Sequence, residues 1–453
     1  MAYVIAVPRS RVSAEYQGTT IFITPVRSPQ SQLFDLRNHA GPAIRLPSTY
    51  AIPKKQPFRS GRNVTLVIHG GAGTMSRKNS TPEQQYVYKA ALADALRAGY
   101  DVIRQGGEAM DAAVAAVSSM EDNPLFNSGK GAVFNSDGKN ELEASIMLSK
   151  PPSTNIDYPT PPPLTRRGLS ATLLTHARNP SKVVRALYLR PDLVPHPFVS
   201  AAHAEGLAQD VGEELVDPDY FFTEARWKEH RRGLGLPDEP YPSPEHSADL
   251  ITFTDTAAEG QQRAEEPIPL DAYPTGTVGA VALDSRGCIA AVTSTGGKTN
   301  KLPGRIGDTP VMGAGFWAEE WKQESVRSRH YPAWLDNTLE LLGLASAQPL
   351  EGKTRSVGVS GTGDGDYFVR QATASTVARR MQLLGESLKG ATERVVEDLL
   401  ADGGIGGLIA LDGEGNVAMP LNCPGMYRGV IKADGVPKVA IFKEDGLEDM
   451  DSK

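Results

Sequence analysis

Thr277 is the residue around which a reaction can be built. It follows Gly276, where a polar stretch over residues 233–276 gives way to strand-like runs. Val278 to Leu283 and Cys288 to Thr293 flank the hairpin turn Asp284-Ser285-Arg286-Gly287. Antiparallel pairing about a turn centred near residue 286 sets Thr277 opposite Thr295. Two threonines at matched strand ends can be a plain cross-strand pair. A second reading opens if the bond between Gly276 and Thr277 is cut. Thr277 then carries an α-amine with a pKa of about 7.7 to 8.0, a base suited to neutral pH on the same residue as the hydroxyl it must activate. Glycine at position 276 eases the close approach that attack of the hydroxyl on the preceding carbonyl requires.

Downstream, Gly304-Arg305-Ile306-Gly307-Asp308 offers a planar guanidinium fork for a carboxylate and, at Asp308, an acceptor for an ammonium. The pair could clamp the two α-substituents of an amino acid or be a simple surface pair. Ser360-Gly361-Thr362-Gly363 places a hydroxyl and glycine amides where they could stabilise an oxyanion, or form an ordinary turn. Asp364-Gly365-Asp366 lacks the rest of a twelve-residue calcium loop and reads as a turn. The segment Gly296-Gly297-Lys298-Thr299 resembles the end of a phosphate-binding loop, but Val292 stands where the required glycine would be. HExxH, CxxC and GxSxG patterns do not occur.

The elements that must position these groups follow from periodicity. Val64 to Ile68 predicts a strand ending in His69-Gly70-Gly71-Ala72-Gly73. Thr81 with Pro82 and Gln84 forms a capping-box start for a helix carrying Leu92, Leu96 and Ile103, stopped by Gly106-Gly107. An alanine-rich helix follows from Ala109 to Met120, then a loop from Asp122 to Gly131, and a further helix is predicted from Asn179 to Leu189. In the C-terminal part the pattern predicts strands at 356–359, 367–370, 407–411, 416–419 and 438–442, a loop at 360–366, and helices near 371–384 and 389–402. Residues 1–60 are polar and proline-dotted, with one strand-like run at 19–24. Residues 151–164 hold six prolines in fourteen positions, which neither helix nor sheet interior accepts. Residues 319–355 read as another polar insertion.

Composition narrows the function. With 453 residues and 40% hydrophobic content the chain can bury a large core. A net charge of −7 gives no broad basic surface, so no nucleic-acid partner is expected. No apolar run reaches the length of a membrane span, so no membrane partner is expected. Two cysteines, Cys288 and Cys423, and a start without a signal-peptide pattern lead to the expectation of a reducing, cytoplasmic location.

The segments HGGAGT (69–74), NPLFNSGKGAVFN (123–135), ELEASIM (141–147), the long run 276–315 and SGTGDGD (360–366) together resemble the plant-type L-asparaginase / isoaspartyl peptidase family of N-terminal nucleophile hydrolases. The resemblance implies an α/β (α+β) fold, a four-layer αββα sandwich, made as a precursor that cuts itself between Gly276 and Thr277. The chain would then divide into an N-terminal extension over 1–60, partly disordered; an α chain over 61–276, with an insertion at 151–166 and a flexible linker at 233–276; and a β chain over 277–453, with an insertion at 319–355. Thr277 resembles the nucleophile and Thr295 the hydroxyl that positions it. Thr362 and Gly363 resemble the oxyanion stabilisers, with Asn127 close to the nucleophile. Arg305 and Asp308 resemble the clamps for the substrate's carboxylate and amine, with Gly363 beside them. The resemblance implies no required cofactor. At most it implies a structural sodium ion on the backbone of Met120, Glu121, Asn123, Phe126, Ser128 and Lys130. It also implies a dimer of αβ units and a small-molecule substrate, L-asparagine or a β-aspartyl dipeptide. The chain departs from the family where Leu148-Ser149 leads into the proline-rich insertion and where the shorter Asp366 ends the Thr-Gly-Asp-Gly loop.

Other readings are a threonine-type endopeptidase that cuts after aspartate, a glycosylasparaginase-like activity, and an unprocessed, non-catalytic interaction protein. In the endopeptidase branch the acidic clamp residue is typically missing and serine stands in place of Thr295, so Asp308 and Thr295 weigh against it. The full set Thr277, Thr295, Arg305, Asp308 and Thr362 weighs against the non-catalytic reading.

Overall fold

A computed structural model describes residues 64–75, 77–153, 160–240, 276–323 and 352–452. The expected N-terminal extension with its strand at 19–24, most of the linker, and the interiors of both insertions lie outside the described residues.

In the first half, strand β1 (Thr65–Gly73) is followed by helices α1 (Pro82–Arg104) and α2 (Ala109–Glu121), strands β2 (Leu142–Leu148) and β3 (Gly168–Leu174), and helix α3 (Pro180–Tyr188). The short strand β4 (Phe198–Ser200) and helices α4 (Ala201–Asp210) and α5 (Glu224–Gly233) complete it. The second half opens with the hairpin β5 (Val278–Leu283) and β6 (Ile289–Thr295), then β7 (Phe316–Lys322) and β8 (Thr354–Gly363). Helices α6 (Gly365–Gln371), α7 (Thr373–Leu383) and α8 (Leu388–Ala401) follow. Strands β9 (Gly406–Asp412), β10 (Val417–Ala418), β11 (Gly425–Ile431), β12 (Lys438–Phe442) and β13 (Glu448–Asp449) close the chain.

Two sheets stack face to face. One has nine strands in the order β13-β12-β11-β1-β5-β6-β2-β3-β4, the other four in the order β10-β9-β8-β7. Helices α1, α2 and α3 cover the outer face of the large sheet, and α7 and α8 cover that of the small one. A separate apolar layer fills each interface. Leu66, Ile68, Leu92 and Val117 lie between the large sheet and its helices, Val281, Ile289 and Ile409 lie between the sheets, and Val359, Val377 and Leu408 lie under α7 and α8. This is the αββα sandwich, and both inner sheets are buried on two faces, which is why β2, β5, β6, β9 and β11 are inaccessible along their whole length.

Several local expectations hold. Thr81 accepts from the Gln84 amide while the Gln84 side chain accepts from the Thr81 amide, so the capping box starts α1. The hairpin pairs Val278 with Ser294 and Ala280 with Val292, the register expected for Thr277 opposite Thr295.

Others need correction. Ser360 to Gly363 is not a loop but the end of β8, paired with β9 from Val357 to Gly363. Residues 367–370 are not a strand: the aromatic, β-branched run lies in α6, where Phe368 is buried and Val369 is 42% exposed, so it packs by one helical face. The insertion expected at 319–355 begins later and ends earlier, because Glu319 to Lys322 pairs with Thr354 to Val357 in β7 and β8. Its charged residues sit on a strand where Phe316, Ala318 and Trp321 are buried and Glu319, Glu320 and Lys322 are not. Likewise the first insertion is tied at its end by Arg166, whose guanidinium donates to the carbonyls of Leu187, Tyr188 and Val194. Gly233 still belongs to α5, and the expected linker is held at its start by the Trp227 indole, which donates to the Glu239 carbonyl. Strands β3 and β11 were not foreseen in the sequence. Among the described residues, no helix is long and apolar enough to cross a membrane.

Candidate active site

Residues from β1, β2, β6 and the end of β8, the junction before β5 and the loops after β6 and β8 converge on one cavity of about 230 Å³. Thr277 lies at its base, 6% exposed, immediately before β5. Its N–H donates to Thr362 Oγ1 at 3.0 Å, and its carbonyl accepts from His69 Nδ1 at 2.8 Å. Thr362 Oγ1 also accepts from the Ala72 amide at 3.2 Å. The threonine backbone is therefore held from both sides by groups from β1 and β8.

Gly276 has φ of +45°, and a Cβ there would stand 2.5 Å from Thr362 Oγ1 and 2.9 Å from Ala72 N. The junction needs glycine on both counts. His69 reaches Thr277 because a bulge between His69 and Gly71 re-aims β1. Opposite it in the ladder, Gly279 leaves room: a Cβ there would meet Ser360 Oγ at 2.2 Å and His69 Nε2 at 2.4 Å. His69 Nε2 is 2.7 Å from Ser360 Oγ, which is 2.8 Å from Thr293 Oγ1. Burial pushes the His69 pKa down to about 3, against a smaller opposing effect of the Thr277 carbonyl, so the ring is neutral.

Of the other expected residues, Thr295, Arg305, Asp308 and Gly363 line the cavity with Thr277. Thr295 Oγ1 accepts from the Gly297 amide at 3.0 Å. Arg305 pairs with Asp366 at 2.8 Å and not with Asp308. Asp308 is buried, with Oδ2 lacking a hydrogen-bond partner. Burial, and next the charge of Glu143, push its pKa up to about 7. Asn127 is placed differently. Its side chain donates to the Gly297 carbonyl at 2.7 Å and accepts from the Val133 amide at 3.0 Å, and its own carbonyl accepts from the Gly296 amide at 3.0 Å. It shapes the Gly296-Gly297 turn behind Thr295 and does not line the cavity.

Sequence reasoning did not assign His69, Ser360, Thr293, Glu143 and Lys298 to the site. His69 and Ser360 stood inside glycine motifs already singled out, so a signal existed. Glu143 and Thr293 lie within apolar strands, and nothing in their local spacing marks them.

Two stacked sheets between helical layers, with a threonine at the head of a central strand facing the cavity, define a hydrolase of the N-terminal nucleophile class. More narrowly, the chain belongs to the asparaginase family, whose model matches residues 62–155, 165–323 and 352–441. The unmatched gaps fall inside the two expected insertions. Similar proteins include the isoaspartyl peptidase of Salmonella typhimurium, 35% identical over 84% of this chain and 98% of the relative, and that of Escherichia coli, 35% identical over 84% and 97%. A plant-type L-asparaginase of Pyrobaculum calidifontis is 31% identical over 81% of this chain and 96% of its own length.

Proposed function

We propose that the chain is an autoprocessed amidohydrolase that hydrolyses the side-chain amide of L-asparagine and β-aspartyl dipeptides through an ester on Thr277. The observation that carries the reading is Thr277 itself, placed at a glycine junction and facing a cavity that Arg305 and Asp308 also line.

In the first stage Thr277 Oγ adds to the Gly276 carbonyl, the peptide C–N bond breaks, and an ester forms. Water then splits the ester, leaving the Gly276 carboxylate and a free Thr277 amine. That amine, held beside Thr362 Oγ1, takes the proton of the hydroxyl as it attacks a substrate amide. Thr362 and Gly363 stabilise the oxyanion, and Thr295 fixes the hydroxyl's position. Ammonia or an amino acid leaves with the proton, and water releases aspartate from the threonyl ester. Arg305 takes the substrate α-carboxylate in exchange for Asp366, and Asp308 takes the α-ammonium.

The reading includes a structural sodium ion at the end of α2 and the loop that follows. The carbonyls of Met120, Glu121, Asn123, Phe126, Ser128 and Lys130 would hold it, in a turn so closely packed that a Cβ at Gly131 would stand 2.2 Å from the Phe126 carbonyl oxygen. Its contribution would be to fix the loop that carries Asn127, not to take part in the reaction. Assembly as a dimer of αβ units and a cytoplasmic location complete the reading; both cysteines are free and buried, which suits a reducing compartment.

Intact-mass analysis of purified protein tests the first stage: chains of 276 and 177 residues should replace the 453-residue chain. Release of ammonia from asparagine and of aspartate from β-aspartyl-leucine tests the second. A folded protein that stays uncut and releases neither product would overturn the proposal.

A further inference from the structure

Glu143 lines the cavity but has no part in the reaction as derived. It sits on β2 directly opposite Thr295 of β6, and residues opposite one another in a ladder project from the same face. The side chain is fully buried. Its Oε1 accepts from the Gly307 amide at 2.9 Å and from the Thr172 hydroxyl at 3.4 Å, whereas Oε2 has no partner. Asp308, next in the chain to Gly307, lines the same cavity, and its Oδ2 is also buried and without a partner. Buried carboxyl oxygens are seldom left without a donor.

The neighbouring cations are engaged elsewhere. Arg305 pairs with Asp366, and Lys301 Nζ donates to the Glu141 carbonyl at 2.7 Å. Lys301 and Arg305 are the positive groups acting on Glu143, and Glu143, Arg305 and Asp366 are the charged groups acting on Asp308.

We propose that Glu143 and Asp308 form an acidic pair that takes the substrate's α-ammonium between them and gives up one proton as it binds. The proposal rests on the amidohydrolase reading. It makes Glu143 a specificity-determining residue: one ammonium can donate to both unpartnered oxygens, whereas a substrate lacking the amine leaves both without a donor. Two buried carboxyls facing one cavity resist joint ionisation, so the free pair retains a proton near neutrality. Burial raises the pKa of both, which agrees with this arrangement. On binding, that proton leaves to solvent and the ammonium's positive charge replaces it.

The test is calorimetric titration of the processed protein with L-aspartate, in two buffers of different ionisation enthalpy, at about pH 6 and about pH 8. Wild-type protein should release close to one proton per aspartate at the lower pH and clearly less at the higher. Glu143→Gln keeps an acceptor for the Gly307 amide but removes one of the two carboxyls and its charge from Asp308. It should reduce the release measurably, raise KM for asparagine by about 10-fold with a smaller change in kcat, and shift the pH dependence of KM. Succinamic acid, which is asparagine without its amine, should compete at least about 100-fold more weakly than L-aspartate. Unchanged proton release and KM in folded Glu143→Gln, or equal competition by succinamic acid with wild-type protein, overturns the proposal. Wild-type protein that hydrolyses neither asparagine nor a β-aspartyl dipeptide would instead overturn the amidohydrolase reading itself.

Discussion

His69 and Thr277 are joined by a 2.8 Å hydrogen bond between the histidine Nδ1 and the threonine carbonyl. A carbonyl can only accept, so Nδ1 carries the ring proton and Nε2 must accept from the Ser360 hydroxyl. Ser360 Oγ in turn accepts from the Thr293 hydroxyl. A buried, fully ordered chain of donors therefore runs from β6 through β8 and β1 to the residue proposed as nucleophile, and it fixes that residue's backbone on the side away from Thr362.

Replacing His69 by Ala leaves both the Thr277 carbonyl and the Ser360 hydroxyl buried without their partner. A loss of about 2 to 4 kcal/mol is expected in urea unfolding of the uncut protein, together with slower appearance of the two chains.

The same residue sets an acid limit. His69 stays neutral in the folded protein down to about pH 3, whereas the unfolded chain binds a proton below its ordinary pKa of 6.5. Its contribution to stability is thus complete above pH 6.5 and declines as the pH falls, by up to about 1.4 kcal/mol per pH unit. Melting temperatures measured across this range should show the slope, and it should be absent in His69→Asn.

Thr362→Ala removes the single oxygen that accepts from both Thr277 N–H and Ala72 N–H. Processing should slow by at least about 100-fold, followed as the rate at which the 453-residue chain disappears. Thr362→Ser, which restores the hydroxyl, should recover most of that rate.

Gly276→Ala puts a methyl group 2.5 Å from Thr362 Oγ1 at a φ of +45°. The hydroxyl must move, and the junction is strained by about 1 to 2 kcal/mol. Reduced cleavage of the junction in a protein with an otherwise unchanged circular dichroism spectrum is the expected result.

Asp308→Asn should show the opposite balance of stability and function. The carboxyl's pKa is raised from its ordinary 3.8 to about 7, first by burial and then by Glu143, so the unfolded chain ionises first and the folded state loses stability as the pH rises between those values, with the full penalty above them. The neutral amide removes the penalty. A higher melting temperature than wild type at about pH 8, a smaller difference at about pH 5, and loss of asparagine turnover are expected together.

Where local chemistry decides structure, the sequence was a sufficient guide. The capping box of α1 depends on residues three apart, and the β5–β6 hairpin on a turn that fixes register, so the sequence sets Thr277 opposite Thr295. Arg305, Asp308 and Gly363 reach the same cavity as Thr277, as their motifs suggested. Local rules failed where packing overrode them. Gly361 and Gly363 looked like a loop, yet they extend β8 beyond Ser360, where its pairing with β7 ends, because Leu408 and Gly406 of β9 pair with them. Residues 367–370 have strand-like composition but form a helix whose Phe368 packs over Gly361 of β8 and Gly406 of β9.

Thr277 with its glycine, its hairpin partner Thr295 and the family were legible in the sequence. Each is written in short motifs or in a register that a few adjacent residues can set. Only the tertiary structure decided that His69 holds Thr277 from 208 residues away, that Asn127 serves a turn behind the cavity, and that Glu143 faces the cavity with Asp308. These contacts exist because β1 pairs with β5 and β2 with β6 in the large sheet while the small sheet stacks β8 against β5 and β6, an arrangement set by burial of apolar faces that no local spacing encodes.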